Sequence, residues 1–95
     1  MSAYVIVYVR SIVDAAELAE YRRIGLPTLA EAGVNVLVRN GRFEVLEGDP
    51  IHGVVMLEFP SMDEARAWYD SPGYQEALKH RVAGADCQAV LVEGA

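Results

Sequence analysis

The chain has 95 residues, 53% hydrophobic and 23% charged, with 14 acidic side chains against 8 basic ones and a net charge of −6. That length leaves room for one domain, residues 1–95, which buries roughly 60% or more of its unfolded surface without a disulfide or a metal. Nucleic acid and anionic membrane surfaces are held through Lys and Arg, so the acidic balance argues against both as partners.

Residues 3–9 open the chain as a strand, with Tyr4, Val5, Ile6, Val7 and Tyr8 placing apolar side chains on both faces. No basic segment precedes this run, which argues against a signal peptide, and no apolar stretch reaches the length of a membrane helix. Cys87 is the only cysteine, so no disulfide forms within the chain and a reducing cytoplasmic location is expected. Asp14 with Glu17 predicts a capped helix start. Leu18, Tyr21, Gly25 and Leu29 continue it at helical spacing. Pro27 is expected to kink or re-cap that helix, and Gly33 to end it.

Residues 34–39 predict a second strand. Asn40-Gly41 is a two-residue hairpin signal, which predicts an additional hairpin strand through Phe43, Glu44, Val45 and Leu46. Residues 54–59 form another apolar strand, ended by Pro60. Ser61 with Glu64 caps a helix carrying Ala65, Trp68 and Tyr69, and Ser71-Pro72 restarts it. Gly84 is expected to loosen its end before a last strand over residues 89–92. The order is β-α-β-β-α-β with the extra hairpin strand, an α+β pattern of the ferredoxin-like kind.

Two helical segments shelter one face of such a sheet. The other face should then alternate with polar residues if it meets water, and three of the strands do not alternate. About six to eight apolar side chains would be left exposed, each worth about 1.5–3 kcal/mol when buried. A homodimer formed through the sheet faces is therefore the expected partner arrangement.

Several motifs resemble a known family in order along nearly the whole chain. They are Tyr4-Val5-Ile6-Val7, Leu37-Val38-Arg39, Glu44-Val45-Leu46-Glu47-Gly48, Leu57-Glu58-Phe59-Pro60-Ser61, Ala67-Trp68-Tyr69-Asp70-Ser71-Pro72 and Val90-Leu91-Val92-Glu93-Gly94. The family is a group of uncharacterised bacterial proteins, domain of unknown function 1330, in the dimeric α+β barrel superfamily. The resemblance implies a ferredoxin-like fold and a homodimer whose sheets close a barrel, but it supplies no reaction. Other members of the superfamily include cofactor-free monooxygenases, isomerases, haem proteins and stress-response barrels, so fold alone does not choose among them. The chain departs from the family at Asn35 and at His52-Gly53, where relatives often carry an Arg.

No phosphate-binding loop, dinucleotide fingerprint, nucleophile elbow or zinc motif occurs. His52, His80 and Cys87 lie on separate elements, so no metal site is expected. Nor is any cofactor: haem-degrading relatives rely on an Asn in the first strand, and none stands between Ala3 and Arg10.

The candidate ligand-binding set is Tyr21, Arg39, Trp68, Tyr69, Tyr74 and Arg81, an apolar wall with a few polar anchors converging between helices and sheet. Each also has a plainer reading. Trp68 and Tyr69 suit a core, Tyr74 a staple at a helix start, Arg39 a strand-end charge and Arg81 a partner for the helix dipole. His80 is either a general base or a solvated surface residue. Glu58 is either at a wet strand end or tied to an Arg. The set fits a protein that binds a small acidic or aromatic molecule, with or without cofactor-independent catalysis. The alternative is a non-catalytic dimeric structural or stress-response module.

Overall fold

β-Branched and aromatic side chains suit a pleated, half-buried surface, and in the computed structural model, which describes residues 1–95, they form the sheet. The elements are β1 (Ala3–Ile12), α1 (Ala15–Glu31), β2 (Asn35–Arg39), β3 (Gly53–Phe59), α2 (Met62–Asp70), α3 (Pro72–Gly84) and β4 (Ala85–Glu93). The strands lie in the order β2-β3-β1-β4, and each neighbouring pair is antiparallel. This is a ferredoxin-like α+β arrangement with the helices on one face of the sheet.

Helix boundaries follow local chemistry. Asp14 accepts hydrogen bonds from the Ala16 and Glu17 amides at the start of α1. The helix runs unbroken across Pro27, so the proline does not re-cap it. Gly33, at φ +66, closes it as expected: its N–H donates to Ala30 and that of Val34 to Leu29, the Schellman pattern. Ser71 separates α2 from α3, its Oγ donating to the Trp68 carbonyl at 2.7 Å and accepting from the Tyr74 amide at 3.3 Å. Gly84 does not loosen the end of α3. It is buried, and its carbonyl accepts from the Val13 and Asp14 amides, tying the end of α3 to the start of α1.

The register sets two unlike faces. Ala3, Val5 and Val7 of β1, with Leu57 and Phe59 of β3, pack under Ala65, Trp68 and Tyr74 to form the core. The alternate residues lie on the other face, which no element covers. There Ile6 stands opposite Met56 and Val90, and Tyr8 opposite Val54. Tyr8 and Val90 are each 37% exposed. Glu58 lies on this face too, accepting from Tyr4 Oη at 3.4 Å and Asn35 Nδ2 at 3.1 Å rather than from an Arg.

The additional hairpin strand does not form. Residues 40–52 are instead the loop joining β2 to β3. Asn40 does take the left-handed conformation its turn signal implies, at φ +51. Its amide, however, donates to the Val54 carbonyl, and its side chain rests on Gly53, where a Cβ would come within 2.6 Å of its Oδ1. A strand over residues 43–46 would have no layer to pack on, and Phe43, Val45 and Leu46 are all exposed. The last strand is longer than its apolar run, because Asp86, Cys87 and Gln88 also pair with β1. Arg10 reaches across to both polar residues, Asp86 at 3.3 Å and Gln88 at 2.5 Å.

Candidate functional site

Between α1, α3 and the covered face of the sheet lies a cavity of about 440 Å3. Its inner wall includes Val7 and Leu57 from the sheet, Leu18 from α1, and Trp68, Tyr74 and Arg81 from α2 and α3; all six are buried. Ile12, Arg22, Leu26, Arg39, Asn40 and His52 also line it and are exposed, marking the mouth. The volume is within the range of small-molecule sites.

Of the six candidates, the structure brings Tyr21, Arg39, Trp68, Tyr74 and Arg81 to this cavity and leaves Tyr69 out. Tyr69 follows Trp68 directly on α2, so it faces another direction. It lines a separate recess of about 160 Å3 with Arg66, Val5 and Leu91, while its ring packs on the aromatic cluster with its centroid 5.5 Å from that of Tyr74. The cavity also takes in Arg22 and Cys87, which sequence reasoning did not single out. For Arg22 a signal existed: it shares one helix face with Leu18, Gly25, Leu26 and Leu29, all of which line the cavity.

The aromatic floor is held by hydrogen bonds. Trp68 Nε1 donates to Thr28 Oγ1 at 3.1 Å, and that hydroxyl donates to the Gly25 carbonyl at 2.6 Å. The Tyr21 and Tyr74 hydroxyls are 2.9 Å apart, with their rings edge to face. Burial, then the proximity of Tyr74, lifts the Tyr21 phenol far above its ordinary pKa, so it is a neutral hydrogen-bonding group across the working pH range.

Arg81 is the unusual member. It is 8% exposed, and its Nε has no hydrogen-bond partner. Burial disfavours its charge, but Tyr74, Tyr21 and the neighbouring Cys87 outweigh that and hold its pKa above the ordinary arginine value. Its guanidinium carbon sits 6.0 Å from the Tyr21 ring centroid, a weak cation–π contact.

His80 is not part of this site. Its Nδ1 is 2.6 Å from Glu17 Oε2, bridging α3 and α1. No group of three or more His, Cys, Asp or Glu side chains is placed to hold a metal ion, and no helix is long and apolar enough to cross a membrane.

The family model described as domain of unknown function (DUF1330) matches residues 2–95. No curated protein matches the chain. Among solved structures, a protein of unknown function from Rhodopseudomonas palustris is 26% identical with a TM-score of 0.77, over 99% of this chain and 82% of that one. A dimeric ferredoxin-like protein of unknown function from Jannaschia is 14% identical with a TM-score of 0.76, over 99% of this chain and all of that one (100%). A cofactor-independent oxygenase from Streptomyces nogalater is 17% identical with a TM-score of 0.58, over 99% and 92%. At these low identities the last two show the fold alone.

Proposed function

The chain belongs to the DUF1330 family, and from that premise we propose that it binds a small organic molecule in the cavity between its helices and sheet, working as a homodimer joined through the uncovered sheet face. The observation carrying the binding reading is the cavity itself. It is about 440 Å3 of largely apolar wall, with Tyr21, Tyr74 and the buried Arg81 among the residues that line it. A core that needed only to be filled would close around such groups, because native interiors pack with few voids larger than water.

The dimer reading is supported by the face around Ile6, Met56 and Val90, and by the ferredoxin-like protein from Jannaschia, which is described as dimeric. Turnover without a cofactor is a property of the Streptomyces oxygenase and enters here only as a reaction to look for.

Thermal-shift screening with small organic acids, phenols and neutral aromatics tests the binding reading, since a ligand of the native state raises the melting temperature by mass action. A Val9→Phe variant, which fills the cavity from β1, is expected to lose the shift. No shift with any compound, or a full shift in Val9→Phe, overturns the reading. Mass spectrometry of the same incubations shows whether the bound compound is also consumed.

A further inference from the structure

The chain carries 14 acidic side chains, yet none of them lines the cavity. Its cations divide in a consistent way. Arg10, Arg23, Arg66 and Lys79 each pair with a carboxylate, and none of these four touches the cavity. Arg22, Arg39, Arg42 and Arg81 have no such partner, and three of those four line it. An excess of positive charge around this cavity, in a protein of net charge −6, is the reverse of what composition alone would place there.

The hydrogen-bond inventory has the same bias. Arg81 Nε is a buried donor with nothing to donate to. Within the Tyr21–Tyr74 pair one hydroxyl donates to the other, which leaves a second O–H donor unspent. Arginine offers donors only, and a buried donor left without an acceptor is costly unless something completes it. The outer arginines, by contrast, are exposed and already solvated.

Resting on the cavity reading above, we infer that the ligand is an organic carboxylate with an apolar body, its head group seated inward on Arg81 and the Tyr21–Tyr74 pair. Its body lies against Val7, Leu57 and Trp68. Arg22 and Arg39 stand at the mouth, where they attract the anion and speed its arrival. A carboxylate matches the site because it only accepts hydrogen bonds, and its two oxygens suit the paired N–H groups of a guanidinium.

Calorimetric titration of the whole chain with naphthoate and octanoate, each beside its neutral amide, tests this. The acids are expected to bind at least about tenfold more tightly than the amides, since a charge-assisted hydrogen bond is worth about twice a neutral one. Arg81→Met keeps an unbranched apolar stem and should bind acid and amide alike. Arg22→Gln/Arg39→Gln should keep the preference for acid while associating more slowly.

Equal binding of acid and amide by the unmodified protein overturns the anion inference and leaves the cavity reading standing. Binding of neither, together with unchanged Val9→Phe, overturns both. Loss of the preference in Arg22→Gln/Arg39→Gln but not in Arg81→Met places the head at the mouth and overturns the inward orientation. If Arg81→Met does not fold, the double variant decides alone: preference kept supports the interior seat, preference lost refutes it.

Discussion

The indole N–H of Trp68 on α2 donates to the hydroxyl of Thr28 on α1 at 3.1 Å, joining two helices beneath the cavity. Both residues are buried, and the hydroxyl is itself anchored on the Gly25 carbonyl. Thr28→Val keeps the shape but leaves the indole N–H without an acceptor. The expected loss is about 1–3 kcal/mol of stability, the usual cost of a stranded buried donor. Thr28→Ser should recover most of it. Urea denaturation followed by tryptophan fluorescence measures both, and a Thr28→Val midpoint equal to that of the unmodified protein would refute the coupling.

The Tyr21 phenol gives a pH prediction. Burial first, then Tyr74, raises its folded pKa well above the ordinary value near 10. Below that ordinary value both folded and unfolded chains hold the proton, so the contribution to stability is complete there. Above it the unfolded chain releases the proton while the folded one keeps it, and stability falls as pH climbs toward the folded value. Tyrosinate absorbance should therefore show the Tyr21 phenol appearing only with cooperative alkaline unfolding. In Tyr21→Phe the cooperative step should lose one phenol. Smooth titration of all five tyrosines in a folded protein would contradict this.

Ser71 ends one helix and starts the next with a single side chain. Ser71→Ala removes the Oγ that accepts from the Tyr74 amide and donates to the Trp68 carbonyl. About 0.5–2 kcal/mol should be lost, as for other caps. Ser71→Asp restores only the acceptor, so it should fall between the two. Denaturation midpoints in any other order would mean that Pro72, at the first turn of α3, sets the break by itself.

How legible all this was in the sequence depended on whether the signal was local. Asp14, Gly33, Ser61 and Ser71 act on residues within a few positions of themselves, and the structure places each cap as the sequence predicts. Asn40-Gly41 was equally local, but only Asn40 takes the left-handed conformation and no two-residue turn forms there. The strand beyond it failed as well, because pairing there needs a partner layer that no nearby residue supplies. The start of β4 was hidden for the opposite reason: Asp86 and Gln88 look like loop residues until Arg10, far away in the chain, is seen to pair with them.

The site followed the same division. Aromatic residues at helical spacing pointed to Tyr21, Trp68 and Tyr74. The directions of Tyr69 and Arg22 needed the helix phase, and the face of β1 that meets the helices could not be read because Val7 and Ile6 are both apolar. The register resolves it, placing Val7 on the cavity and Ile6 on the open face.

That open face carries the last prediction. Met56 lies between Val38 of β2 and Ile6 of β1, near the middle of the uncovered surface. In a monomer Met56→Lys would extend its ammonium group into water with little effect on folding. In a sheet-to-sheet dimer the same group, and its copy across the two-fold axis, would be taken out of water beside a Glu58 carboxylate already engaged by Tyr4 and Asn35, a cost of several kcal/mol. Met56→Lys is therefore expected to sediment as a folded monomer at concentrations where the unmodified protein is dimeric, its dissociation constant raised by about 100-fold or more. Circular dichroism should be unchanged. A Met56→Lys protein that remains dimeric would move the interface elsewhere, since no arrangement that stacks these two faces tolerates two buried ammonium groups at its centre.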